Sequence, residues 1–180
     1  RMPSRGLGDV YKRQVLPPFK AAAEAGVATF MNSFNELNGI PATGNSFLQK
    51  EILKGDWGFK GFVVSDWGSI GEMIAHGYSK DLKSAAKSAI TAGCDMDMMS
   101  SAYILNLKSL VDKNQIKINL IDDAVKRILY LKYDLGLFKD PFKYCSEDRE
   151  NKNILNAQNR KISLDLSLIH ISEPTRRHSI

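Results

Sequence analysis

Three short apolar runs, each opening on glycine and closing on polar residues, set the rhythm of this chain: "GVATFMNSF" from Gly26, "GFVVSDWG" from Gly61 and "GCDMDMMS" from Gly93. Their starts lie 35 and 32 residues apart. Between them the apolar period becomes helical. Asn45 to Lys54 places Phe47, Leu48, Ile52 and Leu53 on one face, and Asp81 to Ala92 does the same with Leu82, Ala85, Ala86, Ala89 and Ile90. Strand, loop, helix and strand at this spacing predict βα units with parallel strands. A (β/α)8 barrel devotes roughly 31 residues to each unit, so the period fits. A doubly wound sheet is the alternative, with less support because no glycine-rich phosphate turn follows any of the three runs. The expected fold class is α/β, an incomplete (β/α)8 TIM-like barrel of about three βα units.

Two more helices follow. One is predicted over Ala102 to Lys113. Asn119 precedes the periodic run Ile121, Ala124, Val125, Ile128, Leu129 and Leu131, which predicts a helix capped by Asn119 with Asp122 and Asp123 in its first turn. Glycine is the expected stop, at Leu135-Gly136. From Lys139 the composition changes to "KDPFKYCSEDRENKN", which has proline, charges and no apolar period. Residues 15–138 are thus expected to form the barrel portion and 139–166 a linker leaving it, with a further helix beginning near Ile154.

Composition adds limits. With 43% hydrophobic and 25% charged residues, the 180-residue chain has ordinary globular usage and enough length for a core. No run reaches the roughly 18 to 20 apolar residues of a membrane span, so no membrane partner is expected. The net charge of +5 hints at nucleic acid until it is apportioned. Residues 1–14 carry +3 and residues 167–180 carry +1, which leaves +1 for the 152 residues between them. A nucleic-acid partner is therefore not expected. Both end segments also lack periodicity. "MPSRGLGDVYKRQ" and "SLIHISEPTRR" resemble translated sequencing-adapter DNA, so 1–14 and 167–180 are expected to be non-native tails. Cys94 and Cys145 make neither a metal spacing nor a disulfide framework and are expected to be structural.

The candidate chemistry lies where the second run ends. In a parallel barrel, apolar strand residues fill the core and the C-terminal strand ends face the active site. Val63 and Val64 would anchor; Ser65, Asp66 and Trp67 would be presented at the mouth. A carboxylate there can act as nucleophile, base or metal ligand, and an indole offers a platform for sugar rings. The competing reading has Asp66 capping a helix over Ser69 to His76 with Trp67 packed beneath it. Asp95 and Asp97 raise the idea of a cation site, but two carboxylates fall short of the converging ligands a metal needs. No metal is expected, and Asp97 reads better as a polar contact at the barrel mouth. Met96, Met98 and Met99 are expected to pack, with one touching the sugar pocket. His76, before Gly77, is expected at a helix end.

The stretch "MNSFNELNGIPATGNSFLQKEILKGDWGFKGFVVSDWGSI", Met31 to Ile70, resembles the signature region of glycoside hydrolase family 3, in its β-glucosidase and β-xylosidase branch. The resemblance continues through "AGCDMDMMS" and "AVKRILYLKYDLGLFKDPF" and covers nearly all of Val15 to Leu166. It implies the C-terminal part of the family's first, barrel-like domain, with the connection towards a second α/β domain. It also implies a retaining exo-β-glycosidase with Asp66 as nucleophile, Trp67 lining the sugar site, and Met31 and Phe34 at pocket positions of the preceding strand. Many members have tyrosine where this chain has Phe34, so a role assigned to that hydroxyl is not carried over. The substrate implied is a β-linked oligosaccharide or aryl glucoside, without a cofactor.

A retaining glycosidase needs a second carboxyl group roughly 5 to 5.5 Å from the first. In this branch the resemblance puts that acid/base in the second domain and assigns it to neither Glu36 nor Glu72. It also puts other sugar-holding groups on upstream strands. The parent protein is therefore expected to be a glycosidase and this fragment inert, and an open partial barrel is expected to expose strand edges. Export to the periplasm or medium is common among relatives. The alternatives are a β-N-acetylhexosaminidase of the same family, whose branch uses a loop Asp-His pair and does not normally show "SDW", and a non-catalytic carbohydrate-binding relative.

Overall fold

The computed structural model describes residues 11–172, so most of what is expected of 1–14 and 167–180 lies outside the described residues. The chain divides into two units between Leu135 and Gly136.

The described residues of the first unit open with a wide helical turn, Tyr11–Val15, that runs into helix α1 (Leu16–Glu24). Prolines occupy its opening positions, where a missing N–H costs nothing. Strand β1 (Thr29–Met31) follows. The chain then forms a hairpin of β2 (Glu36–Leu37) and β3 (Ile40–Pro41), turning through Asn38 and Gly39, both with positive φ. Asn-Gly is the favoured pair for that turn. The predicted helix after it is present as Phe47–Asp56, but wound wide, with i→i+5 bonds such as Trp57 N–H to the Ile52 carbonyl at 2.9 Å. Gln49, Ile52 and Leu53 are its buried residues, whereas Phe47, expected on the buried face, is exposed.

Strand β4 (Phe62–Val64) pairs in parallel with β1, setting Thr29 opposite Phe62, Phe30 opposite Val63 and Met31 opposite Val64. Gly61 makes this approach possible, because a Cβ there would lie 2.0 Å from the Ala28 carbonyl oxygen. On the other side of β4, Met96 makes a parallel bridge to Val64. The three glycine-led runs therefore lie side by side in one direction, as parallel βα connections require. The third is shorter than a strand, since Asp95 and Asp97 on either side of Met96 direct their side chains to other partners.

Helix α2 (Ser69–Glu72) is a single turn, and α3 (Leu82–Ala92), α4 (Ala102–Asp112) and α5 (Ile118–Asp134) complete the unit. Asp81 and Ser84 form a capping box at the start of α3, and Gly93 ends it with φ +109°. The small side chains of Ala85, Ala86, Ala89 and Ala102 are fully buried, with Ile70, Met73, Leu110 and Ala124 in the same core. The start of α5 differs from expectation. Lys117 precedes it without a side-chain cap, Asn119 lies inside it, and Asp122 and Asp123 fall beyond its first turn. Burial of Ile116 holds the entering chain, and the helix starts two residues later.

The second unit holds helices α6 (Glu147–Asn153) and α7 (Ala157–Ser172). The segment expected to be irregular thus contains a helix. It is specified by its start rather than by an apolar face: Ser146 accepts the Arg149 N–H at 3.2 Å, and Glu147, Asp148 and Glu150 occupy the first turn.

Candidate active site

The pleat of β4 sorts its neighbours onto two faces. Val63 is buried against Leu53 and Phe59, with Phe30 and Trp57 packed at the edge, so its face carries the helices. Val64 points the other way, and its row partners Met31 and Met96 are 50% and 44% exposed. Val64 itself is buried, so the exposure lies at the two flanking methionines. Asp66 lies two residues beyond Val64, at the C-terminal edge.

Ser65 fixes the backbone between them. It is fully buried, its N–H donates to the Met96 carbonyl at 2.9 Å, and its hydroxyl accepts the Met98 N–H at 2.8 Å. Gly68 donates to the Met98 carbonyl at 2.8 Å, and Asn32 donates to the Val64 carbonyl at 2.9 Å. Both neighbouring strands thus hold the β4 end. The Asp66 carboxylate is half-buried and takes one hydrogen bond, from the Trp67 N–H at 2.6 Å. Among the described residues it has no cation partner.

The capping alternative is not what is found. The cap position of α2 is Gly68, with φ +71° and no side-chain cap bond, and α2 stops at Glu72 instead of reaching His76. Trp67 is 64% exposed instead of packed beneath the helix. Phe34 is also exposed, on the loop that leaves β1. The structure therefore brings Met31, Val64 and Met96 into one row, with Asp66 two residues beyond it, and places Phe34 and Trp67 on loops leaving adjacent strand ends.

Those loops are joined behind the site. Thr43 Oγ1 donates to Ser69 Oγ at 2.9 Å in a buried position, and His76 Nδ1 meets Glu36 Oε1 at 2.7 Å, with Glu72 3.9 Å from Nε2. His76 therefore bridges to the hairpin, four residues beyond the end of α2.

Asp95 forms a second cluster. Its Oδ2 accepts from Lys54 Nζ at 2.7 Å and from the Val63 N–H at 2.9 Å, while Oδ1 accepts from Arg127 Nη2 at 2.7 Å and Nε at 3.1 Å. Burial lowers the Lys54 pKa, and the adjacent Asp95 charge opposes that shift. Asp97 accepts the N–H groups of Ser100 and Tyr103 at 3.1 Å, so it holds the start of α4. Among the described residues, no three His, Cys, Asp or Glu side chains converge as metal ligands. Burial pushes the Cys94 thiol up to about 12, and Tyr103 donates its hydroxyl to the Cys94 carbonyl at 2.7 Å. Cys145 is exposed.

Sequence reasoning missed the roles of Lys54 and Arg127. A signal existed for Arg127, which borders the apolar stripe of Ala124 and Ile128 on an otherwise core-facing helix.

The model of the "Glycosyl hydrolase family 3 N terminal domain" matches residues 7–131. A periplasmic beta-glucosidase of Salmonella typhimurium is 40% identical over 145 residues, covering 81% of this chain and 19% of the relative. A beta-xylosidase of Formosa agariphila is 37% identical over 175 residues, covering 92% of this chain and 23% of the relative. The chain thus spans about a fifth of the length of these curated relatives. Among solved structures, the beta-glucosidase of Listeria innocua in complex with glucose superposes with a TM-score of 0.75 at 42% identity, over 81% of this chain and 20% of that one. An aspartate-to-alanine variant of the same enzyme, in complex with laminaribiose, gives 0.76 at 41% identity. With a family model matching more than half of its residues and relatives of this identity, the chain belongs to glycosyl hydrolase family 3, within the N-terminal domain.

Proposed function

We propose that this chain is part of a longer retaining exo-β-glycosidase acting on β-glucosides or β-xylosides, with Asp66 as nucleophile and Trp67, Met31 and Phe34 lining the sugar pocket. The observation that carries the reading is the state of Asp66. It is a half-buried carboxylate just beyond the C-terminal end of β4, with one oxygen bonded to its neighbour's N–H and no further hydrogen-bond or cation partner among the described residues. The three parallel runs are then consecutive strands of a (β/α)8 barrel, and the face carrying Met31, Val64 and Met96 is the barrel interior. The printed names of the relatives support the substrate class, and that of the Salmonella protein supports export to the periplasm.

In the reaction, an Asp66 oxygen forms an ester bond to the anomeric carbon as the bond to the aglycone oxygen breaks. A second carboxyl group gives its proton to that oxygen. Water, losing a proton to the same group, then displaces Asp66 and restores the configuration. The exposed Trp67 indole offers an apolar face for a sugar ring beside the nucleophile. Glu36 and Glu72 both face His76 and are not assigned the acid/base role. That group belongs to a segment outside this chain, and the chain alone is inert.

The test is covalent trapping. The full-length protein is inactivated with a 2-deoxy-2-fluoro-β-glucosyl fluoride, digested and mapped by mass spectrometry. The expected result is one fluorosugar adduct on the peptide containing Asp66, and no hydrolysis of aryl glucoside by the 180-residue chain alone. An adduct on another residue, or hydrolysis confined to N-acetylglucosaminides, would overturn the reading; failure to hydrolyse any glycoside would favour a binding relative.

A further inference from the structure

We propose that Asp95 is a positioning residue for the nucleophile, fixing the height of Asp66 at the strand edge by taking the place of a main-chain acceptor in the sheet. The inference rests on the reading of Asp66 as nucleophile.

The ladder between β4 and the third run is irregular at one point. The N–H groups of Asp95 and Met96 both donate to the single Val63 carbonyl, at 2.8 and 3.1 Å. The Val63 N–H then goes to the Asp95 carboxylate rather than to a backbone oxygen, at 2.9 Å. Val63 is 1% exposed, so without this acceptor its N–H would lie buried and unpaired. From that point the chain runs Val64, Ser65, Asp66, and the next tie to the third run is the Ser65–Met96–Met98 set. The register that delivers Asp66 is thus set below by the bonds at Val63, of which the Asp95 carboxylate takes the N–H, and above by a cluster of bonds.

The carboxylate itself is immobilised by two elements outside the sheet. Lys54 reaches it from the wide helix and also donates to the Gly93 carbonyl at 2.7 Å, which ties the helix to the residue where the third run starts. Arg127 reaches it from α5 with a two-nitrogen grip on one oxygen. The Asp95 side chain is 1% exposed and its oxygens receive four bonds, so it faces no substrate and has no capacity left for chemistry. Its influence on the reaction passes through the backbone. Displacement of a reacting group by about 1 Å can cost on the order of 100-fold in rate.

The experiment uses full-length protein carrying Asp95→Asn, with active sites counted by fluorosugar titration so that unfolded molecules do not enter kcat. The expected result is a kcat per site lowered about tenfold, a matching fall in the fluorosugar inactivation rate, and binding of glucose as product inhibitor unchanged within about twofold. An unchanged kcat per site, with only a lower melting temperature, overturns the proposal and leaves Asp95 a structural residue. If Asp95→Asn does not fold, Lys54→Met decides the matter. It leaves the Val63 and Arg127 bonds in place, and a fall of about threefold in kcat per site without weaker glucose binding is expected, while no fall overturns the proposal. The adduct on unmodified protein separates the two readings. Labelling away from Asp66 overturns both, whereas labelling at Asp66 with unchanged variant kinetics overturns only the role of Asp95.

Discussion

Asp66 and Asp95 are carboxylates on adjacent parallel runs, yet one is half-buried with a single short-range bond and the other is buried with four long-range ones. Their surroundings differ in the same way. Asp95 is reached from two helices, by Lys54 and Arg127, whereas Asp66 lies two residues beyond Val64, whose row partners Met31 and Met96 are exposed. A buried carboxylate is tolerated only when its oxygens are occupied, and a fully occupied oxygen cannot attack carbon. What stabilises Asp95 therefore disqualifies it from chemistry, and the looser bonding of Asp66 is what the proposed nucleophile role requires.

The sharpest way to break this contrast is to neutralise each carboxylate and compare activity with stability. Asp66→Asn in the full-length enzyme should lower kcat on aryl glucosides on the order of 10⁴-fold, by analogy with removal of other nucleophiles, while the melting temperature stays within a degree or so. Retained activity would show that the nucleophile lies elsewhere. Asp95→Ala should do the opposite in kind. It strands two cations and a buried N–H and should destabilise this unit by about 3 to 5 kcal/mol. Hydrogen exchange over Phe62–Val64 is the measurement, and unchanged protection there would mean that the cluster does not hold the strand.

Local pattern made part of this arrangement legible. The glycine-led runs were visible because a buried parallel strand is a short apolar run, and α3 because its alanines repeat at helical spacing between a capping aspartate and a terminating glycine. The position of Asp66 beyond Val64 followed from the same pattern. The hairpin was missed although Asn38-Gly39 signalled it, since its strands are two residues each and carry no period. Helix α6 was missed because its signal is a serine cap and an acidic first turn without an apolar face. The partners of Asp95 were not legible at all. Lys54 and Arg127 lie 41 and 32 residues away, and only tertiary packing brings them to one carboxylate.

A smaller effect is expected where the two runs carrying the site meet. Gly61→Ala puts a methyl group 2.0 Å from the Ala28 carbonyl oxygen and 2.6 Å from the Phe59 ring. The ring can move, but the carbonyl is backbone at the entrance to β1, so the strands must separate. Overpacking of this kind costs about 1 to 3 kcal/mol. The covered face should suffer first, which a loss of exchange protection at Phe30 and Val63 would register before any change at α4.

The smallest effect expected concerns a carboxylate that belongs to neither face. Asp81 is exposed at the start of α3, where its side chain accepts the Ser84 N–H at 2.7 Å and its own N–H donates to the Ser84 hydroxyl at 3.1 Å. The Ser84 N–H, and then the Ser84 hydroxyl, hold its pKa below the ordinary carboxylate value. A carboxyl group lowered on folding contributes stability that is present above the unfolded pKa, near pH 4, and is lost as pH falls through the lower folded value. Amide protection in the first turn of α3 should therefore weaken on acidification, after correction for intrinsic exchange. Asp81→Asn keeps a side-chain acceptor of comparable capping strength and removes the titration, so its protection should be flat over the same range. If wild type and Asp81→Asn respond to acid alike, the loss does not come from the Asp81 carboxyl group.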